Sequence, residues 1–205
     1  QLIAQFETGL VEAHDRVARG QLPAFDVVEI LNDGSFFNDE EISSALRLQI
    51  FDAIERYPHI KRVLVESRPE YFSPEKVTAV LSRLTIGQSL EIAVGLETSD
   101  PFVLAKCVRK GFDTDDFDRV VEMVGAYRSP FTGEPLADRV GILGYVLVKP
   151  AYLTEAEAID DAIETVDYIH QVGVDHGVTT LAKLEPCVVP TGTLLEALYR
   201  SKDEQ

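Results

Sequence analysis

The sequence predicts an α/β fold in which a parallel sheet is covered by helices, and three observations lead to this fold class. Segments typical of helices and strands alternate five times along the 205 residues, which is the pattern of βα units. The predicted strands are nearly continuous apolar runs, as expected for a buried parallel sheet. The alternation opens on a helix, so a complete βα array would need one more strand before it, and the first strand is predicted to be missing.

Five segments are predicted as strands because they are rich in β-branched and aliphatic residues and are bounded by turn-forming sequence. These strands span residues 25–31, 63–67, 90–98, 140–148 and 178–185. The intervening segments carry apolar residues at helical spacing, beginning with residues 2–19 and ending with residues 193–201. The expected first residues or N-caps of the other helices are Asn38 (with Glu41), Ser73 (with Pro74), Asp100, Thr114 and Thr154 (with Glu157), and the expected stops are Gly111 and Gly173.

Composition describes an acidic globular protein. A hydrophobic share of 45% is ordinary for such a chain, whereas the net charge of −16 is unusual. Such a surface repels a phosphate backbone unless basic residues are segregated from it, so the sequence offers no evident nucleic-acid surface. We expect one domain covering residues 1–205, and the first residue, Gln1, leads us to expect a piece of a longer protein.

Motifs for several other chemistries are missing from these 205 residues. The two cysteines, Cys107 and Cys187, lack the CxxC spacing of a metal site and suggest a reducing, cytoplasmic setting without a disulfide framework. The four histidines are scattered, so we predict no metal site in the chain itself. No apolar run reaches membrane-spanning length, and no phosphate-binding loop or serine elbow occurs.

Polar residues or glycines follow each predicted strand at its carboxyl end, where βα folds gather their ligand-contacting groups. They include Gly34 and Ser35 after the first strand, Glu66 and Arg68 after the second, Glu97 after the third and Lys149 after the fourth. Two interpretations stay open from this pattern. The charges could form a salt-bridge network in which Arg68 and Lys149 neutralise Glu66 and Glu97, or they could converge on a polar ligand.

Four segments of the sequence carry a resemblance to a known family, namely ESRPE (66–70), LEIAVGLETSD (90–100), RKGF (109–112) and KLEPCVVPTGTLLEALYR (183–200). Together they resemble one branch of the radical S-adenosylmethionine enzymes. The branch is the one that contains the Elongator catalytic subunit and the radical component of archaeosine synthase. Its fold, as the resemblance implies, is a partial (β/α) barrel, which agrees with about five parallel strands plus a missing first one.

The resemblance also implies two cofactors, S-adenosylmethionine and a 4Fe–4S cluster held by a CxxxCxxC loop. These 205 residues contain no such loop, and thiolates are the ligands that such clusters need. We therefore expect the cluster ligands to lie upstream of Gln1 in a parent enzyme, and we expect residues 1–205 to be catalytically inactive by themselves. Relatives in the branch modify transfer RNA, so the resemblance implies, by analogy only, a transfer RNA substrate for the parent enzyme.

The resemblance assigns roles to the residues at the strand ends. Gly34 and Ser35 stand where the family has a glycine-rich strand end that meets the methionine amino group, although Asp33-Gly34-Ser35 replaces the usual Gly-Gly-Glu. Glu66 and Arg68 match groups that bind the amino and carboxylate ends of methionine, and the fork of an arginine suits a carboxylate.

Two further positions complete the predicted cofactor site. Glu97 matches a position near the ribose hydroxyls, and Lys149 lies at the rim beyond the fourth strand of this chain. The sequence thus predicts the S-adenosylmethionine-binding core of a radical enzyme. The alternative is a non-catalytic α/β scaffold or interaction module whose rim charges only pair with one another.

Overall fold

A computed structural model describes residues 2–32, 34–130 and 132–202 and contains one five-stranded sheet. All neighbouring strands are parallel, and their order in the sheet follows the order in the chain. The strands are β1 (Val27–Ile30), β2 (Arg62–Glu66), β3 (Ser89–Glu97), β4 (Val140–Val148) and β5 (Thr180–Pro186). The predicted α/β class and the number of strands are therefore confirmed.

Seven helical segments connect and flank these strands. They are α1 (Leu2–Ala18), α2 (Ser44–Glu55), α3 (Pro74–Leu81), the single turn α4 (Pro101–Val103), α5 (Thr114–Ala126), α6 (Glu155–His176) and α7 (Leu194–Lys202). A π-helical turn, Leu104–Val108, continues α4, and short 3₁₀ turns occupy Pro69–Tyr71 and Leu136–Asp138.

The two faces of the sheet differ, because five helices pack against only one of them. Alternate strand residues such as Val63, Ile92 and Ile142 join the inner faces of α1, α2, α3, α5 and α6 in one large apolar core. Residues that point the other way form only a small cluster of Leu64, Ala93 and Leu143 beside Tyr145. Helices on one face only are what a partial barrel requires, and the second face remains open to line a site.

The predicted N-caps of two helices, α2 and α5, differ from the observed ones by a few residues. Asn38 does not cap α2: its carbonyl accepts from the Glu41 and Ile42 amides in a turn, and Ser43 caps the helix by accepting from the Leu46 amide. Thr114 is the first residue of α5 rather than its cap, and Asp113 holds the cap in a capping box. The caps expected at Ser73, Asp100 and Thr154 are confirmed.

The two predicted glycine stops were also wrong. The helix α6 continues past Gly173 to His176 and ends at Gly177, whose φ of 67° is the left-handed conformation of a C-cap. Gly173 is instead a packing glycine, since an added Cβ would lie 2.3 Å from Thr180 Oγ1 and 2.9 Å from the Val178 carbonyl oxygen. The helical segment after Asp100 ends at Val108, and Arg109, with a φ of 60°, takes the left-handed conformation directly after it; Gly111, with a φ of 85°, lies two residues further on.

Arg47 fixes the loop between β1 and α2, which carries part of the candidate site. Its side chain is only 3% exposed; it donates to the Phe36 and Ile42 carbonyls and pairs with Asp39. Arginine is the suitable residue here because one planar guanidinium can serve several acceptors at once.

We expect Arg47→Ala to lower the free energy of unfolding by about 2–4 kcal/mol, because buried carbonyls would lose their donors. Denaturant titration measures the change. The matched control is Arg83→Ala, whose exposed pair with Asp52 should contribute less than about 1 kcal/mol. Equal losses in the two variants would contradict this account of the loop.

Candidate functional site

A polar cleft of about 320 Å³ opens on the helix-free face of the sheet at the carboxyl ends of the first three strands. It brings together Gly34, Ser35, Glu66 and Arg68, four of the six residues that the sequence singled out. The remaining lining residues are Glu41, Ser67, Tyr71, Ala93, Gly95, Lys110 and Tyr145. The cleft therefore contains two carboxylates and two cationic side chains.

One wall of the cleft is built by Glu41 against the turn after β1. Glu41 Oε2 accepts from the Ser35 amide at 2.8 Å and from Asn32 Nδ2 at 3.2 Å, and Oε1 accepts from Asn38 Nδ2 at 2.9 Å. These bonds, that of the Ser35 amide first, lower the pKa of Glu41 below its ordinary value. An added Cβ on Gly34 would lie 1.9 Å from Glu41 Oε2, so a larger residue there would require the carboxylate to move from this position. Asp33 lies outside the described residues.

Arg68 forms the opposite wall. Its backbone amide donates to Ser35 Oγ at 3.1 Å, which connects the ends of β1 and β2. Its Nε donates to Glu70 at 2.6 Å, and Nη1 donates to the Lys110 carbonyl at 3.3 Å. The guanidinium also lies 5.5 Å from the centre of the Phe112 ring, which is within the range of a cation–π contact. These contacts orient the group while its side chain stays 40% exposed.

Glu97 borders the cleft through its partner Lys110. The Lys110 Nζ to Glu97 Oε1 distance is 2.5 Å, and the Glu97 side chain is 13% exposed. Gly95 leaves room for this pair, since an added Cβ would lie 2.5 Å from Lys110 Nζ and 2.7 Å from Glu97 Oε1. Glu97 itself has a φ of 73°, a left-handed conformation that is strained for a residue with a side chain.

Lys149 is not brought to this cleft. It lies at the end of β4 with a φ of 61°, pairs with Glu155, and lines a separate, mainly apolar cavity of about 440 Å³ that also contains Cys187. The salt-bridge network considered from the sequence is not the one found either. Arg68 pairs with Glu70, Glu97 with Lys110 and Lys149 with Glu155, so these three ions have partners other than the predicted ones.

The lining side chains of the cleft that the sequence does not single out include Glu41, Lys110 and Tyr145. In the sequence, Glu41 has the spacing of a helix cap, Lys110 lies in the RKGF segment, and Tyr145 lies in the fourth predicted strand. The pKa of Tyr145 is raised mainly because its hydroxyl group is buried, and the positive charge of Lys183 partly opposes this increase. The one usable signal was strand alternation, because Tyr145 points to the same face as Leu143 and away from the large core.

The cysteines do not fit an iron–sulfur cluster. Cys107 and Cys187 are both free and half-buried, and burial raises the pKa of each thiol. Within residues 2–32, 34–130 and 132–202, no group of three histidine, cysteine or acidic side chains could hold a metal ion. Across the same residues, none of the helices is long and apolar enough to cross a membrane.

Similar proteins support the resemblance that the motifs indicated. The chain is 32% identical over 201 residues to archaeosine synthase subunit beta of Methanosarcina acetivorans, a match that covers 96% of this chain and 50% of that protein. It is 25% identical over 176 residues to the subunit of the same name from Thermococcus kodakarensis, covering 86% and 49%. An uncharacterized protein of Methanocaldococcus jannaschii is 28% identical over 172 residues, covering 84% and 42%.

The chain thus spans about half the length, or less, of the curated relatives it matches. Among solved structures, Elp3 of Methanocaldococcus infernus, lacking its N-terminal residues 1–46, superposes with a TM-score of 0.61 at 14% identity. That match covers 97% of this chain and 45% of the other, and it supports the partial-barrel fold. No protein-family model matches the chain. The chain is therefore similar over nearly its whole length to archaeosine synthase subunit beta and shares its fold with Elp3, which supports the radical S-adenosylmethionine branch that the motifs resemble.

Proposed function

We propose that the polar cleft binds the methionine end of S-adenosylmethionine in a radical, RNA-modifying enzyme of which this chain forms the cofactor-binding core. The observation that carries the proposal is that two cationic side chains, Arg68 and Lys110, line the same cleft as two carboxylates, Glu41 and Glu66. An amino acid presents one carboxylate and one ammonium group, so it needs this combination of charges. Arg68 provides two-pronged recognition of the carboxylate, and the carboxylates attract the ammonium group.

Each side chain has a defined task in this proposal. Glu41 is held ionised by its three donors and offers its remaining lone pairs to the ammonium group. Gly34 lets the backbone approach the ligand closely. Glu97 stands beside the cleft as the candidate partner of the ribose hydroxyls. Lys149 lies in the other cavity, and a role in cofactor binding would require it to act at a part of the ligand beyond the cleft.

The cluster must be held by residues other than those described. Cys107 and Cys187 do not fit it, so we propose that cysteines elsewhere in a longer protein supply the thiolates. A bound 4Fe–4S cluster supplies the electron that starts radical chemistry, whereas this chain contributes binding and orientation. The 205 residues alone are accordingly proposed to be inactive.

The RNA substrate and the location are likewise proposals. Two relatives are named archaeosine synthase subunit beta, which supports an RNA substrate and a partner subunit for this protein. The net charge of −16 opposes direct phosphate contact, so we propose that most of the RNA surface lies in other parts of the assembly. A cytoplasmic location follows from that substrate.

The test compares ligands that differ by a single group. In calorimetric titration of the full-length protein, decarboxylated S-adenosylmethionine should bind about tenfold or more weakly than S-adenosylmethionine, because a charge-assisted pair is lost. S-adenosylhomocysteine keeps both the ammonium and the carboxylate group and should retain measurable affinity. Equal affinity for the two S-adenosylmethionine forms would reject the cleft as the site for the carboxylate.

The alternative scaffold is favoured by one specific observation, namely that the rim cations already have acidic partners in Glu70 and Glu97. A scaffold of this kind would bind neither ligand, and its rim variants would lose stability instead. Thermal melts recorded beside the titrations distinguish the two functions.

A further inference from the structure

A third pocket lies between the segment that follows β3 and the first half of α6, and its lining is strongly acidic. Its volume is about 390 Å³. It is lined by five carboxylates, Asp100, Glu157, Asp160, Asp161 and Glu164, and its lining contains no lysine, arginine or histidine. It shares no lining residue with the polar cleft. Two of the carboxylates are used to cap helices, since Asp100 caps α4 and Glu157 belongs to the capping box of α6.

Asp161 lacks a partner that its burial calls for. It is 7% exposed, and its Oδ1 accepts from Thr98 Oγ1 at 2.5 Å. Its Oδ2 is buried and has no hydrogen-bond partner among the described residues. Burial raises the pKa of Asp161 and outweighs the Thr98 hydrogen bond, and the charges of Asp100 and Glu164 add to the increase. An uncompensated buried carboxylate is costly, so the position suits a cation that arrives with a ligand.

Exposed aromatic rings accompany these carboxylates. Phe102 and Tyr152 line the same pocket and are 68% and 66% exposed. Tyr152 has a φ of 76°, a strained conformation for a tyrosine. Aromatic faces attract organic cations and also cover the methylene groups beneath them. The described acidic residues do not form a group that could hold a metal ion, so the chemistry favours an organic cation.

We propose that this pocket binds a primary ammonium group at the end of an alkyl chain, with the ammonium group beside Asp161 and the chain against Phe102 and Tyr152. The ammonium group could belong to a free polyamine or to a lysine side chain of a partner protein. Both sources present the same chemistry. The site is independent of the polar cleft, so it can exist whether or not the cleft binds S-adenosylmethionine.

The experiment titrates the full-length protein with spermidine and, separately, with Nα-acetyl-lysine methylamide, at a salt concentration that suppresses diffuse attraction. Asp161→Asn keeps an oxygen for Thr98 but loses the charge, and we expect it to weaken binding about tenfold or more. The matched control is Asp167→Asn on the same helix. Asp167 is exposed and does not line the pocket, so its replacement should leave affinity within about twofold.

Phe102→Ala gives a second variant at an exposed position, where folding is not at risk, and it should also weaken binding. Thermal melts separate a binding role from a structural one, because Asp161→Asn should melt no lower than the wild type. Binding of spermidine alone identifies a free polyamine, and binding of the lysine probe identifies a protein side chain. Equal losses in Asp161→Asn and Asp167→Asn would overturn the proposal, as would failure of both probes to bind or a pocket that takes Mg²⁺ in their place.

Discussion

Arg68→Ala is expected to weaken binding of S-adenosylmethionine to the full-length protein by about 1.5–3 kcal/mol, which is roughly 10- to 150-fold in Kd. The reason is geometric: Arg68 lines the cleft and is oriented by Glu70, by the Lys110 carbonyl and by the Phe112 ring. An oriented guanidinium loses little freedom when it meets a carboxylate. Isothermal titration calorimetry of the variant and the wild type measures the effect.

Stability should change much less in the same variant. The Arg68 and Glu70 side chains are 40% and 43% exposed. Exposed ion pairs contribute about 0–1 kcal/mol to the free energy of unfolding. Decarboxylated S-adenosylmethionine is the matched ligand, because Arg68→Ala should have little further effect on a ligand that lacks the carboxylate. Arg83→Ala, remote from the cleft, should bind like the wild type. A variant that melts early yet binds normally would favour the scaffold.

The central strands β2, β3 and β4 were predictable because they are buried, whereas the edge strands β1 and β5 are half-buried and largely exposed, respectively. The fourth strand was predicted at residues 140–148 and lies there, since VGILGYVLV is apolar at nearly every position. Helix α6 was predictable at its start, where Thr154 and Glu157 form a local capping box. Its end was not. Gly173 looked like a stop because local sequence does not reveal that β5 packs too closely for any side chain there.

The start of α2 shows the same limit. Asn38 and Glu41 have the spacing of a capping box, yet tertiary contacts use them differently: Arg47 holds the Ile42 carbonyl, and Glu41 reaches back to the Ser35 amide. A capping pattern indicates which hydrogen bonds are available locally. It does not indicate that the Arg47 guanidinium or the strand end at Ser35 will bond to the side chain or carbonyl groups of the same turn.

The candidate site was predictable to the extent that it consists of strand ends. Gly34, Ser35, Glu66 and Arg68 meet because parallel strands end at one edge of the sheet. Lys149 also follows a strand, but its left-handed backbone and its pair with Glu155 place it in another cavity. Glu41 and Lys110 come from loops, and their arrival depends on the packing of the whole domain. The roles of all these residues in binding a cofactor stay predictions.

Gly34→Ala is expected to disturb both the fold and the cleft, because its new methyl group would displace the Glu41 carboxylate. The Ser35 amide would lose its acceptor, and Ser35 is 1% exposed, so the free energy of unfolding should fall by about 1–3 kcal/mol. The affinity for S-adenosylmethionine should fall as well, since the carboxylate proposed to meet the ammonium group has moved. Gly87→Ala is the control, because an added Cβ there has open space around it.

Glu41→Gln separates the two effects of Gly34→Ala. A glutamine oxygen can still accept from the Ser35 amide, so the variant should be more stable than Gly34→Ala, whereas loss of the charge should weaken binding of S-adenosylmethionine about tenfold or more. The pH dependence of stability supplies an independent readout. The pKa of Glu41 in the folded protein is lowered from its ordinary value of 4.5. The Glu41 carboxylate therefore stabilises the fold above pH 4.5, and this contribution is lost as the pH falls through the lowered pKa. Glu41→Gln should remove this part of the acid sensitivity. If Glu41→Gln binds S-adenosylmethionine as tightly as the wild type while Gly34→Ala does not, Glu41 only shapes the turn, and the ammonium group must be recognised by Glu66 instead.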